Sequence, residues 1–250
     1  MIPDFRNRLL RGDKLLGTMV TLPTPSTAEI LADAGFDWLF IDGEHGPLST
    51  SDILGILQAV GHRVACIVRV PICDEAEIKK ALDLGAQGVI VPQVNTAEQA
   101  ADVVRFARYA PAGSRGVGLA RAHGYGFRFA EYVATANDDV VVIVQAEHKT
   151  AVENIESIVR VPGVDCVLLG PYDLSASYGK IGQITDPEVT AGIDAVTLAC
   201  KTAGIPLGYF GVSADAVKPY ADQGYTLLVA GVDVLFLGGG ARKMMKDLQS

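Results

Sequence analysis

Eight short apolar runs, each followed by a segment of helical character, alternate along this chain and limit its fold more than any other feature. Strands are expected at residues 15–22, 37–42, 63–70, 88–94, 140–146, 166–170, 206–210 and 226–230. Runs of this length are too short for helices and are bounded by turn residues. Helices are expected between them at 26–34, 51–60, 75–84, 97–109, 150–159, 187–203 and 214–223, with a last one at 241–248. Gly35, Gly85, Gly204 and Gly224 end several of these, and Thr96 and Asp186-Pro187 mark starts. Eight strand–helix units in 250 residues fit an α/β protein of the (β/α)8 TIM-barrel class, a single domain over 1–250. The rival is a doubly wound open sheet. It would announce a glycine-rich phosphate loop after the first strand, and Thr21-Leu22-Pro23-Thr24-Pro25 is not one.

The formal net charge is -8, which argues against nucleic acid or an anionic membrane as the main partner. No apolar run approaches the 18 or so residues of a membrane span, and the first eight residues lack the apolar core of a signal peptide. Cys66, Cys73, Cys166 and Cys200 show no C-x-x-C spacing, so free thiols in a reducing cytoplasm are expected. His62, His123 and His148 have no ligand spacing and read as surface or loop residues. One connection stands out. About 30 residues separate the helix ending near Tyr109 from the fifth strand, and long insertions in barrels are usually functional.

In a TIM barrel the active site lies at the C-terminal ends of the strands. Strand two ends in Asp42, Glu44 and His45, and strand three in Arg69-Val70-Pro71. Strand four ends at Pro92-Gln93, strand five in Gln145-Ala146-Glu147-His148, and strand six in Gly170-Pro171-Tyr172-Asp173. Glu147 and Asp173 are one strand–helix unit apart, which brings two carboxylates to neighbouring strands. A hard divalent cation would resolve their repulsion; a salt-bridged pair of helix caps is the other reading. Period-two alternation places Gln145 on the same side as Glu147. His45 reads as an acid/base or as a turn residue, Arg69 as a functional cation or as an ion pair to Asp42. Gly170-Pro171 reads as a strand terminator or as a source of N–H groups for an anion.

These residues occur in a recognisable order. Ala34-Gly35-Phe36-Asp37-Trp38 runs into Asp42-Gly43-Glu44-His45, then come Val68-Arg69-Val70-Pro71 and the run from Tyr109 to Val117. Gln145-Ala146-Glu147 and Gly170-Pro171-Tyr172-Asp173-Leu174-Ser175 follow. Over nearly its full length the chain resembles the HpcH/HpaI-type class II pyruvate aldolases, which include the 4-hydroxy-2-oxoheptanedioate aldolases. The resemblance implies a metal-dependent lyase that breaks or forms the C3–C4 bond of 4-hydroxy-2-keto acids through a pyruvate enolate, giving pyruvate and an aldehyde.

Carried over by position, Glu147 and Asp173 correspond to the ligands of a divalent ion (Mg²⁺, Mn²⁺ or Co²⁺) and His45 to the acid/base. Arg69 corresponds to the cation beside the enolate oxygen, and Gln145 to a partner of bound pyruvate. Gly170, Pro171, Tyr172 and Asp173 border the substrate carboxylate. Asp42 supports the site, and Asp83 corresponds to an acid brought near the histidine. The resemblance also implies a homo-oligomer, a hexamer, with the last helix exchanged between subunits. Arg121, in the long connection, is expected to select an aldehyde with an acidic tail. Met19 and Tyr172 differ from the residues usual in relatives and are expected to line the entrance. Two alternatives remain at this stage: a metal-dependent acyl-CoA lyase of the malyl-CoA type, and a non-catalytic 2-keto-acid-binding barrel. The physiological aldehyde and the native metal are not written in the sequence.

Overall fold

A computed structural model describes residue 2 and residues 4–250; Met1 and Pro3, inside the expected 1–250 domain, lie outside the described residues. Helix α1 (Phe5–Leu10) precedes the barrel. The strands are β1 (Leu15–Val20), β2 (Trp38–Asp42), β3 (Ala65–Arg69), β4 (Gly88–Val91), β5 (Val141–Ala146), β6 (Cys166–Leu169), β7 (Leu207–Gly211) and β8 (Leu227–Val232). Between the first five strands lie α2 (Pro25–Asp33), α3 (Thr50–Val60), α4 (Glu75–Asp83), α5 (Ala97–Ala107) and α6 (Phe129–Asp139). Next come α7 (Lys149–Glu153) and α8 (Ile155–Ile158), then α9 (Pro171–Ser177) and α10 (Pro187–Ala203). Finally α11 (Ala214–Asp222) follows β7, and α12 (Asp233–Gln249) follows β8.

All eight strands pair in parallel in sequence order, and β1 pairs with β8 to close the barrel. Alternate residues face opposite sides. Trp38, Phe40, Ile67, Ile90, Ile143, Leu168 and Val229 fill the interior, while Leu39, Ile41, Val68, Val142 and Val167 pack under the helices. Phe5 and Leu9 of α1 belong to the interior cluster and close the N-terminal end of the barrel. Met19 is buried in that interior as well, rather than open at the entrance.

Several expectations shift. The expected helix at 150–159 is two short helices that meet at Asn154, whose φ of -103° departs from helical values. The connection after α5 is not structureless: it holds a 3₁₀ turn (Arg121–Gly126) and α6. Helix α6 buries Tyr132 and Ala136. The last helix begins at Asp233, not 241, and of its residues Asp233 alone is buried. No helix among the described residues is long and apolar enough to cross a membrane.

Candidate active site

Period-two alternation continues to the strand ends, so Asp42, Arg69, Gln145 and Glu147 point inward at the C-terminal mouth. Asp42 and Arg69 are partners in the β2–β3 register. The Arg69 guanidinium donates from Nε and Nη2 to the two Asp42 oxygens, each at 2.9 Å, with both side chains buried. It also lies 5.1 Å from the centre of the Phe40 ring. Beyond Asp42 the chain turns sharply. Gly43 donates to the Arg69 carbonyl at 3.0 Å, and a Cβ there would stand only 2.7 Å from that oxygen. The turn presents the N–H groups of Glu44 and His45 to Asp42 Oδ1 at 3.1 and 3.3 Å. Burial alone would raise the Asp42 carboxyl, but Arg69 and these two N–H groups hold it below its ordinary value.

Glu44 joins the two halves of this corner. Its Oε2 lies 3.1 Å from Arg69 Nη1 and 3.7 Å from His45 Nε2. Burial lifts the Glu44 carboxyl; Arg69 and His45 pull it back, and Asp42 and Asp173 add to the rise. The imidazole of His45 is open to solvent, with 64% of its side chain exposed. The corner is thus one buried arginine shared by two carboxylates, with a histidine at its outer edge.

Across the mouth stands Glu147, 2% exposed. Its Oε1 accepts the Gln93 N–H at 2.8 Å, and its Oε2 accepts the Gln145 amide. Burial is the main cause pushing its carboxyl up to about 7; the Gln93 N–H and Arg69 oppose this, and the charges of Asp173 and Glu44 add to it. Gly170 lets β6 approach: a Cβ there would come within 2.8 Å of Gln145 Nε2 and 2.9 Å of Glu147 Oε2. Asp173, in the first turn of α9, is exposed, and Pro171 is buried at the start of that helix. Tyr172 is 40% exposed on the rim. The oxygen of the Gln145 amide, Oε1, is buried without a partner.

A buried carboxylate lifted toward neutrality, a second acid nearby and an orphaned amide oxygen form a donor set that suits a hard cation. Among the described residues no three carboxylate, imidazole or thiolate side chains converge as a complete metal cage. The protein side of such a site would therefore be Glu147 with Asp173.

The profile of the HpcH/HpaI aldolase/citrate lyase family matches residues 16–237. The chain belongs to that family. It is similar to a hydroxypyruvate/pyruvate aldolase of Roseovarius nubinhibens, 37% identical over 243 residues that cover 96% of this chain and 95% of the relative. It is likewise similar to a 4-hydroxy-2-oxovalerate aldolase of Rhodococcus jostii, 41% identical over 94% of this chain and 92% of that protein. Among solved structures, an HpcH/HpaI aldolase/citrate lyase family protein from Burkholderia cenocepacia J2315 superposes with a TM-score of 0.95. It is 37% identical, with 99% of each chain covered.

This HpcH/HpaI family member keeps Asp83 and Arg121 away from its own mouth. Barrel helices run back against the strands, so their C-termini lie at the opposite end. Asp83, at the end of α4, accepts Arg115 Nη2 at 2.8 Å, and Arg115 lies over the Tyr109 ring. Arg121 donates to the carbonyls of Leu84 and Leu57 at 2.7 and 2.9 Å, tying the ends of α4 and α3 together. His123 is buried, not a surface residue: its Nδ1 accepts the Gly126 N–H at 3.0 Å, and its Nε2 lies 2.6 Å from the Gly118 carbonyl. Sequence reading missed the roles of Glu44, Gln93 and Asp233. Glu44 and Gln93 stand among the strand-end residues without a partner assigned to them, and Asp233 shows as the charge that interrupts the apolar run from Thr226 to Leu237.

Proposed function

We propose that this protein is a divalent-metal-dependent aldolase that cleaves or forms the C3–C4 bond of 4-hydroxy-2-keto acids, giving pyruvate and an aldehyde. The observation that carries this reading is the opposition, across one mouth, of the Asp42–Arg69–Glu44–His45 corner and the buried Glu147 beside Gln145. The aldolase activities for which the Roseovarius and Rhodococcus relatives are named support it.

Glu147 and Asp173 would hold the ion, and water and substrate oxygens would complete its sphere. When bound, the ion supplies Lewis-acid polarisation of the 2-keto group. Gln145 offers its free Oε1 as an acceptor to an O–H donor, a water in the site or the substrate's C4 hydroxyl. In cleavage, His45 takes the proton of the C4 hydroxyl and the C4–O bond becomes the aldehyde carbonyl. The C3–C4 pair moves into the new C2–C3 double bond, and the C2 oxygen gains negative charge beside Arg69. Asp42 and Glu44 fix Arg69 in place before the substrate arrives, so that charge meets a cation that needs no reorganisation. Asp83 and Arg121 enter this scheme only from a second copy of the chain, consistent with a homo-oligomer. No lysine occupies these strand ends, so a Schiff base has no candidate nucleophile among them.

The test is turnover of a 4-hydroxy-2-keto acid to pyruvate. Chelation with EDTA abolishes turnover, and Mg²⁺, Mn²⁺ or Co²⁺ restores it. Turnover that survives chelation and is trapped by borohydride would overturn the reading.

A further inference from the structure

Among the described residues, three that are not glycine have left-handed backbone: Asp4, Gln93 and Tyr125. Asp4 precedes α1, and Tyr125 lies exposed in the α5–α6 connection. Gln93 is different, because it sits just beyond a barrel strand at the mouth, with φ +53°. L side chains disfavour that region, and such conformations persist where the surroundings over-determine them.

The surroundings here do so. Pro92 and Val94 are buried on either side of Gln93. Asn95 is pinned twice: its N–H donates to Gln99 Oε1 at 2.7 Å, and its carbonyl accepts Asn154 Nδ2 at 2.9 Å. The same Gln99 oxygen accepts the Thr96 N–H in the capping box of α5. Gln93's own side chain is exposed. What the strained residue delivers is its N–H, 2.8 Å from Glu147 Oε1. With the Gln145 amide on Oε2 and Gly170 against the carboxylate, Glu147 is constrained from three strands.

We propose that Gln93 is a positioning residue: its left-handed backbone, not its side chain, presets the Glu147 carboxylate for the divalent ion. The proposal rests on the reading of Glu147 as an ion ligand. Outer groups that orient a ligand typically contribute about 10- to 100-fold to metal affinity. A β-branched residue resists the left-handed region, whereas glycine enters it freely.

The experiment measures Mn²⁺ dissociation constants by electron paramagnetic resonance on the full chain, stripped with chelator. Gln93→Val, Gln93→Gly and Glu147→Gln are compared with wild type, and circular dichroism monitors the fold. Gln93→Val weakens Mn²⁺ binding about 10- to 100-fold, Gln93→Gly binds as wild type does, and Glu147→Gln loses the site. A folded Gln93→Val protein with wild-type affinity overturns the positioning role while leaving Glu147 as ligand. So does a Gln93→Gly protein as weak as the valine variant, which would put the effect in the side chain. Wild-type affinity in Glu147→Gln overturns the ligand reading and this proposal with it. Should the valine variant not fold, Gln93→Ala takes its place. Weaker binding than Gln93→Gly then supports the proposal, and equal binding overturns it.

Discussion

Asp42 does more at the mouth than its place beside the reacting groups suggests. It receives a bidentate arginine and two backbone N–H groups, so the guanidinium and the turn carrying His45 share one anchor. Asp42→Asn leaves Arg69 buried without its full counter-charge and lowers stability by about 3–5 kcal/mol, measured by urea denaturation at neutral pH. The Asp42 carboxyl titrates below its ordinary value of 3.8 in the folded protein. Its stabilisation is therefore present above that value and lost as pH falls through the lower folded one. The gap between wild type and Asp42→Asn should narrow below pH 3.8; a gap that stays constant would mean the ion pair is not its source. His45 carries no comparable structural load, being mostly exposed. His45→Ala should reduce turnover about 10²- to 10⁴-fold while Mn²⁺ affinity and the urea midpoint hold. A variant that loses metal instead would move His45 into the metal site.

Among the elements, the ends of β1 and β8 show how a barrel mouth is kept in shape. Asp233, buried just past β8, accepts the Thr21 and Leu22 N–H groups at 2.9 and 2.8 Å and the Thr21 hydroxyl at 2.7 Å. One carboxylate thus ties the loop after β1 to the strand that closes the barrel. Asp233→Ala strands those donors and costs about 1–3 kcal/mol for each one left unsatisfied. Amide hydrogen exchange at Thr21 and Leu22 should accelerate in that variant; unchanged protection there would show that the loop is held by something else. The loop after β4 works on the same principle with different parts. Asn154, at the break between α7 and α8, reaches across to the Asn95 carbonyl, so a helix interruption on one unit steadies the loop of another.

At the scale of the whole molecule, the outstanding feature is α12. It follows β8 where a barrel helix should cover the sheet, yet beyond Asp233 none of its residues is buried. Val234, Leu235, Phe236, Leu237, Met244, Met245 and Leu248 are all exposed large apolar side chains. Leu119 and Phe127, in the α5–α6 connection, are exposed as well. Apolar surface of this kind marks an interaction face. The arrangement supports a homo-oligomer in which α12 packs on a neighbouring barrel. Leu237→Glu combined with Leu248→Glu should then reduce the particle mass measured by light scattering. A wild-type protein that runs as a monomer would remove this reading.

The alternation of strand and helix was legible because its signals are local. Short apolar runs, helix caps and glycine stops depend on neighbours a few residues away, and ranges such as Pro187–Ala203 match expectation at both ends. The same locality made the strand-end residues legible, since period two decides which side chains face inward. Helices α1 and α9, six and seven residues long, are too short to repeat a helical period and left no pattern to be read. What only the tertiary structure decided is which of the strand ends meet. The barrel sets β4 beside β5 and so joins Gln93 to Glu147, 54 residues away, through an N–H that every residue but proline carries and no sequence pattern marks. It also sends Asp83 and Arg121 to the far end of the molecule, because a helix that packs against its strand must run the other way.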